Sequence, residues 1–423
     1  LLKRVGVVDP TSLNAYRQAG GYQALRKAFE MGSETVIREV TESKLLGRGG
    51  AAFPTGRKWA AVAEQPAQPH YVVCNGEESE PGTFKDRVLL DGDPFAIIEG
   101  MTIEGFATGA TRGYLYVRGE YPLAEERVGH AIEAARAAGF LGEDILGSGW
   151  SFDIEFRRGA GAYICGEETA LFESIEGKRG EPRNKPPFPV EVGLFGKPTA
   201  INNIETLANV LLVLADGDDD GVGGGQRYAA IGTEGSTGPK LFCLSGSVAR
   251  PGVYEVPFGT TLRQLIELGG GFAVDGAAGG SHRIQAVLLG GAAGSFVGPD
   301  ALDVPLTFEG TRAIGASLGS GVVMVFDETA DLVAMLRRIA AFFRDESCGQ
   351  CVPCRVGTVR QEELLARLTD RAPGGSPRTP AQELALLGEI ARAMRDASIC
   401  GLGQTASSAI ESALRRELVT VPA

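Results

Sequence analysis

Four cysteines have the spacing to hold an inorganic cluster. Cys348, Cys351 and Cys354 form a Cys-x2-Cys-x2-Cys run, and Cys400 follows in a separate loop, Ser-Ile-Cys-Gly-Leu-Gly. Three thiols so close cannot all pair as disulfides. Structural zinc mostly takes two separated pairs of ligands, whereas this run suits three corners of a ferredoxin-type 4Fe–4S cube, with Cys400 supplying the fourth. The other cysteines, Cys74, Cys165 and Cys243, lie in apolar strands or beside glycine. They read as small buried hydrophobes.

Two glycine-rich loops could bring backbone N–H groups to a phosphate at a helix N-terminus. One is Gly47-Arg-Gly-Gly-Ala-Ala-Phe-Pro-Thr-Gly56, just ahead of Lys58; the other spans 158–168. The first only loosely approaches the dinucleotide fingerprint, so tight turns are an equally good reading of either loop alone. Acidic residues flank both: Glu77, Glu78 and Glu80 in one segment, Glu167 and Glu168 after the second loop. A carboxylate repels a phosphate but can serve a dinucleotide at its sugar hydroxyls or nicotinamide end. Otherwise these are solvated charges. The three histidines, His70, His130 and His282, stand far apart in sequence. Chemistry resting on paired histidines is not expected.

These residues need elements to position them. Residues 1–46 read as two or three short helices. Strands are expected at 70–74, 113–117 and 152–156, with helices over 95–108, 123–138 and 169–176, an alternation that implies a mostly parallel, Rossmann-like sheet covered by helices. The acidic glycine loop at 215–226 is the expected domain edge. From 240 the pattern turns to short strands and a helix, in the manner of a small β-grasp module of the soluble-ligand-binding type, ending near 326. Beyond it, Leu332, Leu336, Ile339 and Phe343 recur at helical spacing. Thr379-Pro-Ala-Gln382 has the form of a capping box, and 405–418 reads as a final helix. The expected class is α/β plus all-α, with domains at 1–235, 236–326 and 327–423.

Bulk properties agree. A chain of 423 residues is too long for one core. Its 43% apolar and 22% charged content is ordinary for a globular protein. No apolar run approaches the roughly 18 residues of a membrane span, so no direct membrane insertion is expected. A net charge of −12 with no basic cluster argues against nucleic acid as partner. Seven cysteines without a secretory signal imply a reducing, cytoplasmic setting. The chain opens on Leu, so its true start is expected upstream.

Taken together these segments resemble the flavin- and NADH-binding (51 kDa-type) subunit of respiratory complex I. They are equally similar to the diaphorase subunits of NAD-dependent formate dehydrogenases and hydrogenases. The resemblance rests on the first glycine loop through Lys58, on Cys74-Asn-Gly-Glu-Glu-Ser-Glu-Pro-Gly-Thr-Phe-Lys-Asp86, and on 158–168. Lys185-Pro-Pro-Phe-Pro189, Asn202-Asn-Ile-Glu-Thr206 and Glu346-Ser-Cys-Gly-Gln-Cys-Val-Pro-Cys-Arg355 complete it. It implies FMN held by Gly47, Gly49, Lys58, Asn75, Glu77, Ser79, Gly166, Glu167, Asn202 and Asn203. It implies NAD(H) lined by Phe53, Glu80, Glu168, Lys185 and Phe188, with Glu80 and Glu168 near the nicotinamide, and a 4Fe–4S cluster on the four cysteines. No side chain need act as nucleophile or acid, because hydride transfer belongs to the cofactors.

Two departures bear on function. Ala61 stands where complex I members often carry a second aromatic against adenine. Gly-Leu-Gly-Gln after Cys400, with Val356-Gly-Thr, looks more like the formate dehydrogenase and hydrogenase branches. The expected partners are a small thioredoxin-like 2Fe–2S subunit and a larger molybdenum or nickel subunit carrying further clusters. The expected parent is a formate dehydrogenase, ahead of a hydrogenase and of complex I. A rival of another class is a ligand-binding module stiffened by structural zinc; another is a subunit that kept the fold and lost the nucleotide site.

Overall fold

The computed structural model describes residues 1–215, 222–272, 283–369 and 378–419. The 215–226 loop expected to mark a domain edge lies largely outside them, as does His282. The described chain forms two compact units. One comprises Leu1–Ser79, Phe84–Phe242 and Glu255–Gly259; the other comprises Glu80–Thr83, Cys243–Tyr254 and Thr260–Ala423.

The first unit is built on strands β1 (Tyr71–Gly76), β2 (Arg112–Val117), β3 (Asp153–Arg158) and β4 (Thr199–Asn203). They pair in the order β3-β2-β1-β4, all parallel. Parallel strands need long crossovers, supplied here by helices Lys85–Gly92 and Pro94–Thr108, then Pro122–Ala137, then Glu168–Ile175. Strand order reverses beside β1, and such a switch point opens a crevice at the strands' carboxyl ends. That crevice is rimmed by Asn75 and Asn203, directly opposite one another in register. Helix Pro94–Thr108 is buried along almost its whole length, carrying Glu99 and Glu104 with it. Glu99 ties down the N-terminal helices, accepting from Tyr16 Oη at 2.5 Å, Tyr22 N at 2.7 Å and Leu25 N at 3.1 Å. Three short helices precede the first glycine loop: Leu13–Gln18, Gln23–Met31 and Ser33–Glu42.

A second, mixed sheet adds β5 (Pro239–Gly246), β6 (Gly252–Pro257), β7 (Ile284–Leu289), β8 (Ser295–Val297) and β9 (Val322–Asp327), in the order β6-β5-β9-β7-β8. The capping box of helix Leu262–Leu268, Thr261 with Gln264, matches the helix read from sequence. The second unit continues into helices Leu332–Glu346, Val352–Thr369 and Pro380–Ala397. Leu332, Leu336, Ile339 and Phe343 are all buried, and Thr379 makes the expected reciprocal bonds with Gln382.

The expected final helix, 405–418, is present as Ser408–Arg415, and an unexpected short helix, Gly401–Thr405, precedes it where the sequence reads as a loop after Cys400. The break is specified by Gln361, fully buried on helix Val352–Thr369. Its amide Nε2 donates to Ala406 O at 3.0 Å and its Oε1 accepts from Ser407 Oγ. A side chain that captures a carbonyl and a hydroxyl at one point competes with the helical ladder there. No described helix is long and apolar enough to cross a membrane.

Candidate functional site

The first-unit residues expected to hold a flavin converge on the crevice. Asn75, at the end of β1, donates from Nδ2 to Gly166 O at 2.9 Å and accepts from Glu77 N at 3.0 Å. One residue thus joins the acidic segment to the second glycine loop. Glu77 in turn accepts from Ser79 Oγ. From the first loop, a Cβ at Gly49 would stand 3.2 Å from Asn203 Cβ. Glycine lets that backbone lie close to the β4 end without displacing Asn203. Lys58, on helix Thr55–Ala63, donates to Ile201 O at 2.6 Å, immediately before Asn202. Burial pulls the Lys58 ammonium below its usual pKa, while Glu168 and Glu104 act to hold it charged.

The flanking carboxylates have separate occupations. Glu167 caps helix Glu168–Ile175, its Oε2 accepting from Thr169 N and Ala170 N, both at 2.9 Å. Lys185 Nζ reaches Glu167 Oε1 at 2.9 Å and Glu168 Oε1 at 2.5 Å. Burial acts to lower the Lys185 pKa, but Glu168 and then Glu167 outweigh it and hold the ammonium above its ordinary range. Negative charge beside the glycine loop is therefore partly offset. Glu78 is not a solvated charge: it is 4% exposed and caps helix Lys85–Gly92 through Asp86 N and Arg87 N, each at 3.0 Å. Burial, helped by Asp86, pushes its carboxyl up to about 7. Glu80 belongs to the second unit, where its carboxylate accepts from Ala293 N at 2.9 Å and Ser320 Oγ at 3.4 Å; burial raises it to about 7. Phe53 and Phe188 both present exposed rings, 45% and 53% accessible, and Lys58 Nζ lies 5.9 Å from the Phe53 centroid.

Sequence reasoning missed the charges behind the crevice. Asn203 donates from Nδ2 to Asp86 Oδ2 at 2.6 Å, and Lys85 Nζ lies 2.7 Å from Asp86 Oδ1 and 2.9 Å from Glu205 Oε2. Lys240 Nζ meets the same Glu205 oxygen at 2.7 Å. Beneath Asn202, the Glu104 carboxyl accepts the Asn202 amide and faces Trp59 and Lys58. Burial pushes Glu104 up to about 8. The available signal was composition: Glu99 and Glu104 are the only charges in the apolar segment of helix Pro94–Thr108.

In the second unit Cys351 directly precedes helix Val352–Thr369, Cys354 sits in its first turn, and Cys400 is the N-cap residue of Gly401–Thr405. A Cβ at Gly403 would collide with Ser398 Oγ and come within 2.9 Å of Cys354 Cβ, so glycine lets the Cys400 helix close on Cys354. Burial raises the Cys354 thiol to about 11, and Cys351, Cys400 and Cys348 push it the same way. Cys354 is therefore within electrostatic reach of the other three cysteines. Among the described residues no three His, Cys, Asp or Glu side chains surround a single ion. Ligands of one zinc must each come within about 2.3 Å of it, whereas the sulfurs of an iron–sulfur cage stand on separate irons. The donor set, four thiols and nothing else, fits such a cage. Cys74, Cys165 and Cys243 are buried, as small apolar residues would be.

A switch-point crevice beside two glycine loops, together with a four-thiol helical site, is the arrangement of a nucleotide- and iron–sulfur-binding electron-transfer protein. Similarity to known proteins agrees part by part. Residues 40–212 match the Nuo51 FMN-binding domain, 334–416 the NADH-ubiquinone oxidoreductase-F iron-sulfur binding region, and 241–286 the SLBB domain. The chain is 45% identical to the F subunit of NADH-quinone oxidoreductase from Aquifex aeolicus (strain VF5), over 98% of this chain and 92% of that protein. It is 43% identical to NADP-reducing hydrogenase subunit HndC of Solidesulfovibrio fructosivorans, over 97% of this chain and 80% of that one. The solved NAD+-reducing NiFe-hydrogenase in the H2-reduced state superposes with a TM-score of 0.81 at 37% identity, over 94% of this chain. This chain spans 64% of that hydrogenase chain, less than two thirds of its length. The chain belongs to the family of NADH-quinone oxidoreductase F subunits. It is an NADH-oxidising FMN and 4Fe–4S subunit of the complex I or hydrogenase type.

Proposed function

We propose that FMN is held in the switch crevice by Gly47, Gly49, Lys58, Asn75, Glu77, Ser79, Gly166, Glu167, Asn202 and Asn203. Phe53, Glu168, Lys185 and Phe188 receive NAD(H) beside it. Bound FMN supplies the exchange of a two-electron hydride for single electrons, which the 4Fe–4S cluster on Cys348, Cys351, Cys354 and Cys400 relays. The chain's own side chains bind and orient. Lys58 carries positive charge at the β4 end, the Lys185 ammonium bridges Glu167 and Glu168 and offsets part of their charge, and the exposed rings of Phe53 and Phe188 offer apolar faces to a base. Glu168 carries the acidic role near the nicotinamide, since the Glu80 carboxylate is engaged by Ala293 and Ser320. The observation that carries this reading is the convergence of Asn75, Gly166, Gly49 and Asn203 at the strand-order reversal. The test is the purified chain loaded with FMN: NADH should reduce ferricyanide, and flavin absorbance that does not bleach with NADH would sink the reading.

The residues after Cys400, Gly-Leu-Gly-Gln, with Val356-Gly-Thr, support the formate dehydrogenase and hydrogenase branches over complex I. Of these two the first reading is an NAD-linked formate dehydrogenase of the cytoplasm, in which electrons arrive from a molybdenum subunit and leave as NADH. A small thioredoxin-like 2Fe–2S subunit completes that assembly. A hydrogenase is the second reading, supported by the 43% identity to a hydrogenase subunit. Metal analysis of the co-purified complex separates the cases: molybdenum supports the first, nickel the second, and neither metal overturns both in favour of complex I.

A further inference from the structure

Two serine hydroxyls stand at the cysteine site with no part in holding the fold's ladders. Ser347 Oγ lies 3.3 Å from Cys354 Sγ, and the same oxygen accepts from Gly349 N at 3.4 Å. A thiolate bound to iron has no proton, so the Ser347 O–H must be the donor to sulfur. The loop is held in this geometry by Arg355, whose Nη1 donates to Gly349 O at 2.9 Å. Ser398 is 6% exposed, two residues before Cys400, and its Oγ has no hydrogen-bond partner among the described residues. Its backbone is fixed: Ser398 N donates to Met394 O at 3.1 Å, and Ser398 O accepts from Gln404 Nε2 at 3.0 Å. The position that would carry a Gly403 Cβ is flanked by Ser398 Oγ and Cys354 Cβ, so this hydroxyl lies where the Cys400 helix packs on Cys354. A buried hydroxyl without a partner is costly unless something there accepts it.

We propose that Ser347 and Ser398 donate hydrogen bonds to the sulfurs of the bound cluster and set its reduction potential. The inference rests on the 4Fe–4S reading of the four cysteines. Adding one electron to the cluster raises the negative charge on its sulfurs, with no bond made or broken and both protons remaining on serine oxygen. Donors aimed at sulfur stabilise that reduced state more than the oxidised one, and so raise the potential. The hydroxyls thereby make the cluster a better sink for electrons from the reduced flavin.

The test is potentiometric titration of the full FMN- and cluster-loaded chain, followed by electron paramagnetic resonance. Ser347→Ala and Ser398→Ala should each lower the cluster's midpoint, and Ser347→Thr, which restores a hydroxyl, should return it toward wild type. A tenfold loss in the reduction equilibrium reads as about 59 mV for one electron. Iron and acid-labile sulfide per chain report whether the cluster is complete. Ser398→Ala removes no hydrogen bond among the described residues, so it assembles even where Ser347→Ala does not. Unmoved potentials with full iron overturn the proposal, while a wild-type chain without iron overturns the cluster reading instead.

Discussion

The side-chain amide of Asn203 donates to the carboxylate of Asp86 at 2.6 Å, while Asn203 Oδ1 accepts from Glu205 N at 3.0 Å. The residue at the crevice rim is therefore oriented at both ends, by a buried carboxylate and by the helix it caps. Asp86→Ala removes the acceptor and leaves Lys85 with less negative charge around it. Losing a hydrogen bond to a charged group costs about 1.5–3 kcal/mol. The expected outcome is FMN binding weakened about tenfold or more, read by recovery of flavin fluorescence on dilution, with iron content unchanged.

Lys240 and Glu205 are both fully inaccessible, 2.7 Å apart. Burial acts to raise the Glu205 pKa, but Lys240, Lys85 and Arg48 outweigh it and hold the carboxyl below its usual range. Removing Lys240 leaves Glu205 with Lys85 at 2.9 Å, so the loss stays below the roughly 3–5 kcal/mol of a buried charge left with no partner. Lys240→Met should lower the unfolding free energy measured in urea by up to about that amount, and a double change, Lys240→Met with Glu205→Leu, should recover part of it. The sign for pH follows from the depressed carboxyl. Its contribution is present above pH 4.5 and is lost as pH falls through the folded-state value.

Glu104 behaves oppositely. Burial lifts its carboxyl from 4.5 to about 8 against the pull of Asn202, Lys58 and Trp59. The folded chain keeps a proton that the unfolded chain releases, so this group's contribution is full below pH 4.5 and is lost as pH rises through about 8. Glu104→Gln mimics the protonated acid at all pH values. Relative to wild type, it should grow more stable by up to about 1.4 kcal/mol per pH unit across that window. Chemical unfolding of both proteins at several pH values checks this; parallel curves would show that Glu104 is ionised in the fold.

How much of this was legible in the sequence depends on the range of the interactions. The cysteine run, the glycine loops and the capping box at Thr379 are local signals, and each element they mark is present where expected. The parallel sheet followed from alternation of strand and helix, but its order did not. That Asn75 and Asn203 face each other requires the crossover that sets β4 beside β1. The short helix Gly401–Thr405 was not read, because Gln361, distant in sequence, sets the break at Ala406 and Ser407 that ends it. The acidic segment was the hardest to read. Glu77, Glu78 and Glu80 are near neighbours in the chain, yet their carboxylates face Ser79, the N-terminus of helix Lys85–Gly92, and Ala293 respectively. Nothing in composition separates three glutamates that the fold sends in three directions.

Cys400 offers the sharpest separation of the two redox sites, because the crevice residues and the thiols belong to different compact units. Its place as N-cap of Gly401–Thr405 is a backbone position that serine fills well. Cys400→Ser therefore keeps the helix while replacing a thiolate ligand by a hydroxyl that stays protonated at neutral pH. The expected outcome is loss of iron and of the cluster's paramagnetic signal, with FMN content at the wild-type level. NADH-driven reduction of ferricyanide should persist, since that acceptor can draw electrons from the flavin, while reduction of the natural partner protein should be lost. A variant that retained both full iron and partner reduction would remove Cys400 from the ligand set.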